Sequence, residues 1–293
     1  MEPLTVFTPT FNRAFCLGRV YDSMKRQTSR DFVWMIIDDG SSDGTRELVA
    51  SWQAEGLVKI EYIYQENQGM HGGHNTAYAN IKTELCTCID SDDFMPDDAV
   101  ENILANWQKY RATHLAGIIG LDAYQSNGKV VGSAFPAHIT ESTLQDLHRI
   151  HKVSGDKKLV LRTEVVREFP PYPLFPGEKF VPLGTLYLMI DQKYKLRCVN
   201  QVYCLVEYLD EGSSRNIFRQ YKKSAAGFRY ARILEMKYSK SFAYTFTRAM
   251  QFISSSLFLG SNIFKGNPRK LITLLALPAG IALHLYILYR IRK

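Results

Sequence analysis

The tetrapeptide Asp90-Ser91-Asp92-Asp93 ends an apolar run and puts three carboxylates within four residues. Carboxylates two apart at a strand end can share one hard divalent cation through oxygen ligands at roughly 2.0–2.2 Å. Such a cation can bridge two phosphates and neutralise the charge on a leaving diphosphate. The same residues also suit a solvated turn before a helix N-terminus, so this cluster by itself is ambiguous. Asp38-Asp39-Gly40-Ser41 has the same double reading. A carboxylate there can accept from the imide N–H of a uracil, or it can form an Asx turn while Asp43 caps the next helix. His71-Gly72-Gly73-His74 presents two imidazoles three apart, yet further N or S ligands at a zinc spacing are not evident. The glycines between them predict instead a loop that passes close to phosphates. His148 and His151 repeat the spacing in a polar stretch and are expected to face solvent.

Groups of this kind need a scaffold that brings them together. Leu4–Thr8, Phe32–Asp38, Val58–Tyr64, Leu85–Asp90 and Leu115–Leu121 are rich in β-branched and aromatic residues and read as strands. Arg19–Gln27, Gly44–Ala54, Asn75–Ile81 and Asp97–Tyr110 read as helices between them, with Asp43 and Pro96 placed to start two of them. This alternation predicts an α/β fold: a mostly parallel sheet with helices on both faces. Ligands bind such sheets at the carboxyl ends of the strands. The polar segments TPTFNR, DDGSSDGT, ENQGMHGGHN and DSDD follow the first four strands, so all four are expected to converge on one edge. Beyond residue 121 the pattern is less regular. Thr163–Glu168 and Phe180–Gln192 look helical, Leu196–Leu209 looks like a strand or strand pair, and the proline-rich FPPYPLFPGEKF should be a stiff loop.

Hydrophobic residues make up 46% of the 293 and charged residues 22%, which calls for a packed core rather than disorder. Charge is divided unevenly. From residue 218 onward 14 Lys and Arg face a single acid, Glu235, whereas the preceding residues are mildly acidic. A basic tail of this kind suits nucleic acid or an anionic membrane surface. The five cysteines, Cys16, Cys86, Cys88, Cys198 and Cys204, are odd in number and form no CxxC pair, so reduced buried thiols are expected. The first strand starts at Leu4 and leaves no room for a signal peptide ahead of it, which predicts a cytoplasmic body.

Taken in order, TPTFNR, IIDDGSSDGT, NQGMHGGHN and CIDSDD resemble the successive motifs of glycosyltransferase family 2, covering roughly residues 4–110. The resemblance implies a GT-A fold, Rossmann-like with a mostly parallel sheet, and inverting sugar transfer. It also implies a nucleotide-sugar donor, commonly a UDP-sugar, used with Mn2+ or Mg2+. It places Pro9, Thr10 and Asn12 around the nucleoside, with Arg13 and Ser91 in the same donor-facing set. It puts Asp39 on the base, Asp90 at the ribose or a metal-bound water, and Asp92 as the principal metal ligand. His71 and Asn75 fall where donor-binding side chains usually stand, although a basic residue is commoner than histidine at the first. Many members carry the catalytic base in a Glu-Asp pair; here the matching place reads Gly177-Glu178-Lys179-Phe180, so the base falls to Glu178. Further on, Asp210 stands where many members have a metal-binding histidine, and Arg215 is placed to contact the diphosphate.

Residues 228–257 show apolar positions at helical spacing between Arg229, Arg232, Lys237, Lys240 and Arg248, a pattern of interfacial membrane binding or of helices that pack on the catalytic domain. Leu271–Tyr289 is apolar apart from Thr273 and His284, at the lower length limit of a spanning helix. Basic residues flank it on both sides and specify no direction of crossing. Pro278-Ala279-Gly280 can bend it, which favours monotopic attachment. The expected organisation is a catalytic domain over 1–217 and a helical membrane-association region over 218–293. The expected setting is the cytoplasmic face of a bacterial inner membrane. A membrane tail argues against nucleic acid as partner and points to a lipid-linked saccharide acceptor on a polyprenyl diphosphate, used in surface-glycan assembly. Competing readings are a sugar-nucleotide nucleotidyltransferase, which lacks its usual basic glycine-rich loop here, and a non-catalytic membrane adaptor. A hydride-transfer enzyme is disfavoured because no GxGxxG follows a strand.

Overall fold

A computed structural model describes residues 2–207 and 217–292. Its elements run β1 (Leu4–Thr10), α1 (Ala14–Arg26), β2 (Phe32–Asp38), α2 (Thr45–Glu55), β3 (Ile60–Tyr64), α3 (Met70–Asn80), β4 (Leu85–Cys88), α4 (Ala99–Tyr110) and β5 (Leu115–Tyr124). There follow β6 (Glu141–Ser142), α5 (Leu144–Arg149), β7 (Lys157–Arg162), α6 (Thr163–Arg167), α7 (Gly184–Ile190) and β8 (Lys195–Val206). The described chain then continues with α8 (Ile217–Lys223), α9 (Ala225–Tyr238), α10 (Phe242–Phe258) and α11 (Lys270–Arg292). Two compact units form, one from Met1–Pro171 with Met189–Tyr208, the other from Tyr172–Leu188 with Leu209–Lys293.

The first unit is built on a sheet of order β3-β2-β1-β4-β7-β5-β8-β6. β1 pairs in parallel with β2 and β4, β2 with β3, and β5 with β8. Every residue of β2 is buried, as expected of a strand covered on both faces. On one face Trp34 stacks with Trp52 of α2 at 5.9 Å, and Trp52 with Tyr21 of α1 at 4.4 Å. On the other, Phe7 meets His74 and Tyr78 of α3 edge-on at 5.1 and 5.4 Å. Large flat side chains thus fix helices to both faces by area burial and ring geometry. All five cysteines are free thiols.

Four differences from the sequence expectation have physical causes. α3 begins at Met70, so the two histidines and their glycines form its first turn rather than a phosphate-facing loop. α7 is shorter than Phe180–Gln192, because Pro182 disfavours helical geometry in the residue before it. β7 was not foreseen: it lies antiparallel between β4 and β5, and its polar start, Lys157-Lys158, hides a central strand. The single amphipathic helix expected over 228–257 is two helices, interrupted at Ser239-Lys240-Ser241, where Ser241 Oγ accepts from Tyr244 N and caps α10.

In the second unit α10 packs against both α9 and α11 around Met236, Ala249, Phe252, Ile253 and Ala276. The apolar positions of α9 and α10 are therefore largely spent on one another. α11 remains helical through Pro278 rather than breaking there. Gly280 lets it approach α10 closely, since a Cβ at that position would come within 2.7 Å of Ile253.

Candidate active site at the strand ends

The loops after β1 and β2 are laced together. Asn12 N donates to Ser41 Oγ, and Asn12 Oδ1 accepts from Ser42 N, both at 2.8 Å. Asp43 accepts from Ala14 N at 2.9 Å and from the Thr45 hydroxyl at 2.6 Å, so one carboxylate holds the starts of α1 and α2. Burial works to raise its pKa, but these hydrogen bonds outweigh it and keep the carboxyl below its ordinary value. The Asx turn belongs to Asp38, whose Oδ1 accepts from Ser41 N at 2.8 Å while Oδ2 accepts from Tyr62 Oη at 2.5 Å.

Asp39 is buried. Its Oδ1 accepts from Gln65 Nε2 at 2.6 Å and from Gln68 N at 2.8 Å, and its Oδ2 from Gly69 N at 2.7 Å. The carboxylate thus ties the end of β2 to the start of α3. His71 and His74 are both buried in that first helical turn. His74 Nδ1 bonds to Met70 O at 3.0 Å, and burial pushes its pKa down, which keeps the ring neutral. His74 is a packing residue against Phe7, and a zinc pair is not what this spacing makes here. Asn75 is half-buried one residue further along α3. Pro9 and Thr10 end β1, and Thr10 Oγ1, fully buried, has no hydrogen-bond partner among the described residues. A buried hydroxyl left so costs roughly 1–3 kcal/mol, which a bound nucleoside hydroxyl or carbonyl would relieve.

The acidic turn after β4 closes with Asp93 N donating to Asp90 O at 3.1 Å. Ser91 is buried in it, and Asp92 and Asp90 are partly exposed. Asp92 Oδ2 pairs with the Arg13 guanidinium at 3.2 Å, which connects this turn to the loop after β1. Behind the turn, Lys158 of β7 donates from Nζ to Cys88 O at 3.1 Å. Burial opposes its charge, but Cys204, Asp122, Asp90 and Asp93 around it hold the ammonium well above its ordinary pKa. Burial, helped by the neighbouring Asp90, Asp92 and Asp122 carboxylates, raises Asp93 to about 7 against the pull of Lys158. Sequence reasoning passed over Lys158 and Asp122. The short apolar run Leu159-Val160-Leu161 is the available signal, but nothing local says which strands flank it.

Glu178 lies in the second unit. Its Oε1 accepts from Ala226 N at 2.8 Å and its Oε2 from Gly227 N at 2.9 Å, at the start of α9. Only glycine fits at 227, because a Cβ there would stand 2.1 Å from Phe180 O. The carboxylate is therefore oriented by a helix N-terminus, where negative charge is favoured. Asp210 and Arg215 lie outside the described residues.

Asp90 and Asp92 are the hard oxygen donors that Mn2+ or Mg2+ prefers, and phosphate and water commonly complete such a shell. No group of three His, Cys, Asp or Glu gathers for a metal among the described residues. The residues present fit a cation shared with a diphosphate better than one caged by protein alone.

This sheet, with its acidic turn at the end of β4, has the GT-A fold of nucleotide-sugar transferases. Staphylococcus aureus TarS 1–349 in complex with UDP-GlcNAc shares it with a TM-score of 0.63 at 16% identity, covering 96% of this chain and 81% of that one. The mannosyltransferase PcManGT from Pyrobaculum calidifontis, in complex with GDP-Man and Mn2+, shares it with a TM-score of 0.58 at 17% identity, covering 98% and 82%. The chain belongs to glycosyltransferase family 2, whose sequence profile, Glycosyl transferase family 2, matches residues 5–163. The poly(ribitol-phosphate) beta-N-acetylglucosaminyltransferase TarP of Staphylococcus aureus is 32% identical over 222 residues, 74% of this chain and 67% of TarP. The GalNAc(5)-diNAcBac-PP-undecaprenol beta-1,3-glucosyltransferase of Campylobacter jejuni is 31% identical over 106 residues, 36% of this chain and 34% of that protein. An uncharacterised Nostoc glycosyltransferase is 29% identical over 132 residues, 45% of this chain. The chain spans 40% of the length of the Nostoc relative, 34% of the Campylobacter one and 16% of glycosyltransferase GlyA of Streptococcus pneumoniae.

Proposed function

We propose that this glycosyltransferase inverts the anomeric centre of a UDP-sugar as it transfers the sugar to a saccharide carried on a polyprenyl diphosphate. Its setting is surface-glycan assembly at the cytoplasmic face of a bacterial inner membrane. The observation that carries the donor half is the meeting of Asp92, Arg13 and the Asn12-tied loops at the carboxyl end of β1, β2 and β4. The relatives' names support the acceptor half: one acts on a PP-undecaprenol-linked glycan and another on poly(ribitol-phosphate).

In this reading residues 1–217 form the catalytic domain and 218–293 the membrane-association region. Pro9, Thr10 and Asn12 border the nucleoside, Asp39 recognises the base, and His71, Asn75 and Ser91 complete the donor pocket. Asp90 and Asp92 would hold Mn2+ or Mg2+, with Asp210 added. A bound divalent cation supplies charge neutralisation for the leaving diphosphate. Arg13 and Arg215 add cationic charge to the same diphosphate. Glu178 accepts the proton of the attacking acceptor hydroxyl as the new glycosidic bond forms and UDP departs. Each of its oxygens accepts one backbone N–H, which leaves a second lone pair on each for that hydroxyl.

The test is UDP release from a panel of UDP-sugars, with Mn2+, Mg2+ or EDTA and a bacterial lipid extract. Metal-dependent release with one sugar, lost in Asp92→Asn, is the expected outcome. Release of pyrophosphate would mean nucleotidyl transfer instead, and failure to bind UDP would overturn the donor assignment.

A further inference from the structure

Among the described residues α11 alone is long and apolar enough to cross a membrane, with a mean hydropathy of 2.1. Its two faces have different partners. Thr273, Ala276, Gly280 and Ile287 are buried, with Ala276 and Gly280 against α10. Leu271, Leu274, Leu275, Ile281, Leu285 and Tyr289 are exposed, and at about 100° per residue they fall within about one-third of the helix circumference, on one outward stripe. Leu271 is 79% exposed and Leu275 65%. At 1.5 Å per residue the stripe runs for about 27 Å. Scattered single leucines on a surface need no explanation, but an unbroken apolar stripe of this length does.

Charge identifies what covers it. Lys265 and Lys270 stand at one end of the stripe, and Arg290 and Arg292 at the other, all exposed. The single acid among residues 217–292 is Glu235, which is already paired with Arg232 at 2.7 Å and Arg248 at 3.4 Å. A second copy seated on the stripe, parallel or antiparallel, would set cations against cations at both ends with no carboxylate to separate them. An anionic lipid surface meets both ends with opposite charge and the stripe with hydrocarbon.

We infer that α11 lies in the plane of an anionic bilayer, inserting its outward stripe, and does not cross it. This rests on the membrane setting proposed above and names the surface that makes the contact. Crossing is disfavoured by what α11 carries with it. Its packing partner α10 bears Arg248, Gln251 and Ser254–Ser256, and a spanning α11 would drag the Glu235–Arg248 pair toward the hydrocarbon. An in-plane helix leaves α10 in water and buries only the stripe.

The experiment is flotation of the full chain with vesicles of phosphatidylcholine alone or with one-third phosphatidylglycerol, and UDP binding is measured on the same samples. The chain should float with the anionic vesicles, and high salt should weaken this. Leu271→Gln with Leu275→Gln and Leu285→Gln should lower the affinity at least tenfold while UDP binding is kept. These three side chains are exposed, so folding should survive their replacement. Depth is read by nitroxide labels at cysteines placed at 271, 281 and 289. Equal shallow depths support the in-plane helix, whereas a deep 281 between two shallow ends would mean crossing and overturn it. Equal flotation of the triple variant would also overturn it, as would a dimer that the variant dissociates without any change in flotation. Loss of UDP binding in the unaltered chain with flotation intact would sink the donor reading and leave this inference standing.

Discussion

Arg13 and Asp92, 79 residues apart in sequence, form an ion pair at 3.2 Å between the loop after β1 and the turn after β4. A divalent cation that used the Asp92 carboxylate would compete with the guanidinium for it. Arg13 would then be free to turn toward the diphosphate that arrives with the cation. Arg13→Gln should therefore bind Mn2+ severalfold more tightly in the absence of nucleotide, yet bind UDP with Mn2+ more weakly. Calorimetric titration of each ligand separates the two effects. Equal Mn2+ affinity in the variant would show that the ion pair does not gate the carboxylate.

Lys158 is the cation that Asp90, Asp93 and Asp122 share inside the sheet. Removing one partner of a buried charge cluster leaves the others uncompensated, at a cost of about 3–5 kcal/mol. Lys158→Met should lower the thermal midpoint strongly. Added Mn2+ should restore more of it in the variant than in the wild type, because a ligand of the native state stabilises by mass action. A variant as stable as the wild type without metal would remove Lys158 from this role.

The proposed base, Glu178, also holds the start of α9, and substitution can separate the two roles. As the base, its loss should lower transfer by about 10²–10⁴-fold; as the partner of Ala226 N and Gly227 N, its loss should cost about 0.5–2 kcal/mol of stability. Glu178→Gln keeps size and one acceptor oxygen, so the fold should survive while transfer collapses and UDP affinity is unchanged. A variant that is less stable but fully active would assign Glu178 to the helix end alone.

Asp191 accepts from Leu144 N and Gln145 N at the start of α5, at 3.0 and 2.8 Å. Burial nevertheless raises its carboxyl to about 6, above the unfolded value of 3.8, against those two hydrogen bonds. Between these values the native state holds more protons than the unfolded chain, so stability should fall as pH rises from about 4 to 6. Urea unfolding at several pH values should show that slope in the wild type and a flatter one in Asp191→Asn. A slope unchanged by the substitution would mean that other groups produce it.

Much of the first unit is legible in the sequence. β1 to β5 and α1, α2 and α4 were readable because short apolar runs alternate with helical periods, and two-face burial shows as unbroken hydrophobicity in β2. α3 was misplaced at its start because glycine is a poor helix former, and Gly72 and Gly73 masked a turn that tertiary packing of His74 and Tyr78 on Phe7 stabilises. The tail's apolar periodicity is legible, but local spacing does not tell that Met236, Ala249, Phe252, Ile253 and Ala276 of α9, α10 and α11 pack into a shared cluster.

What the sequence determined by itself is the set of groups and the edge on which they gather. In a parallel βα sheet the loops after successive strands must meet at the carboxyl ends, whatever the packing details. Tertiary structure alone decided which partner each charge has. The insertion of β7 between β4 and β5 puts Lys158 behind the acidic turn, and Glu178 reaches backbone amides 48 and 49 residues away. Such pairings follow from strand order and helix placement, which are set by burial summed over the whole chain and leave no trace in local residue spacing.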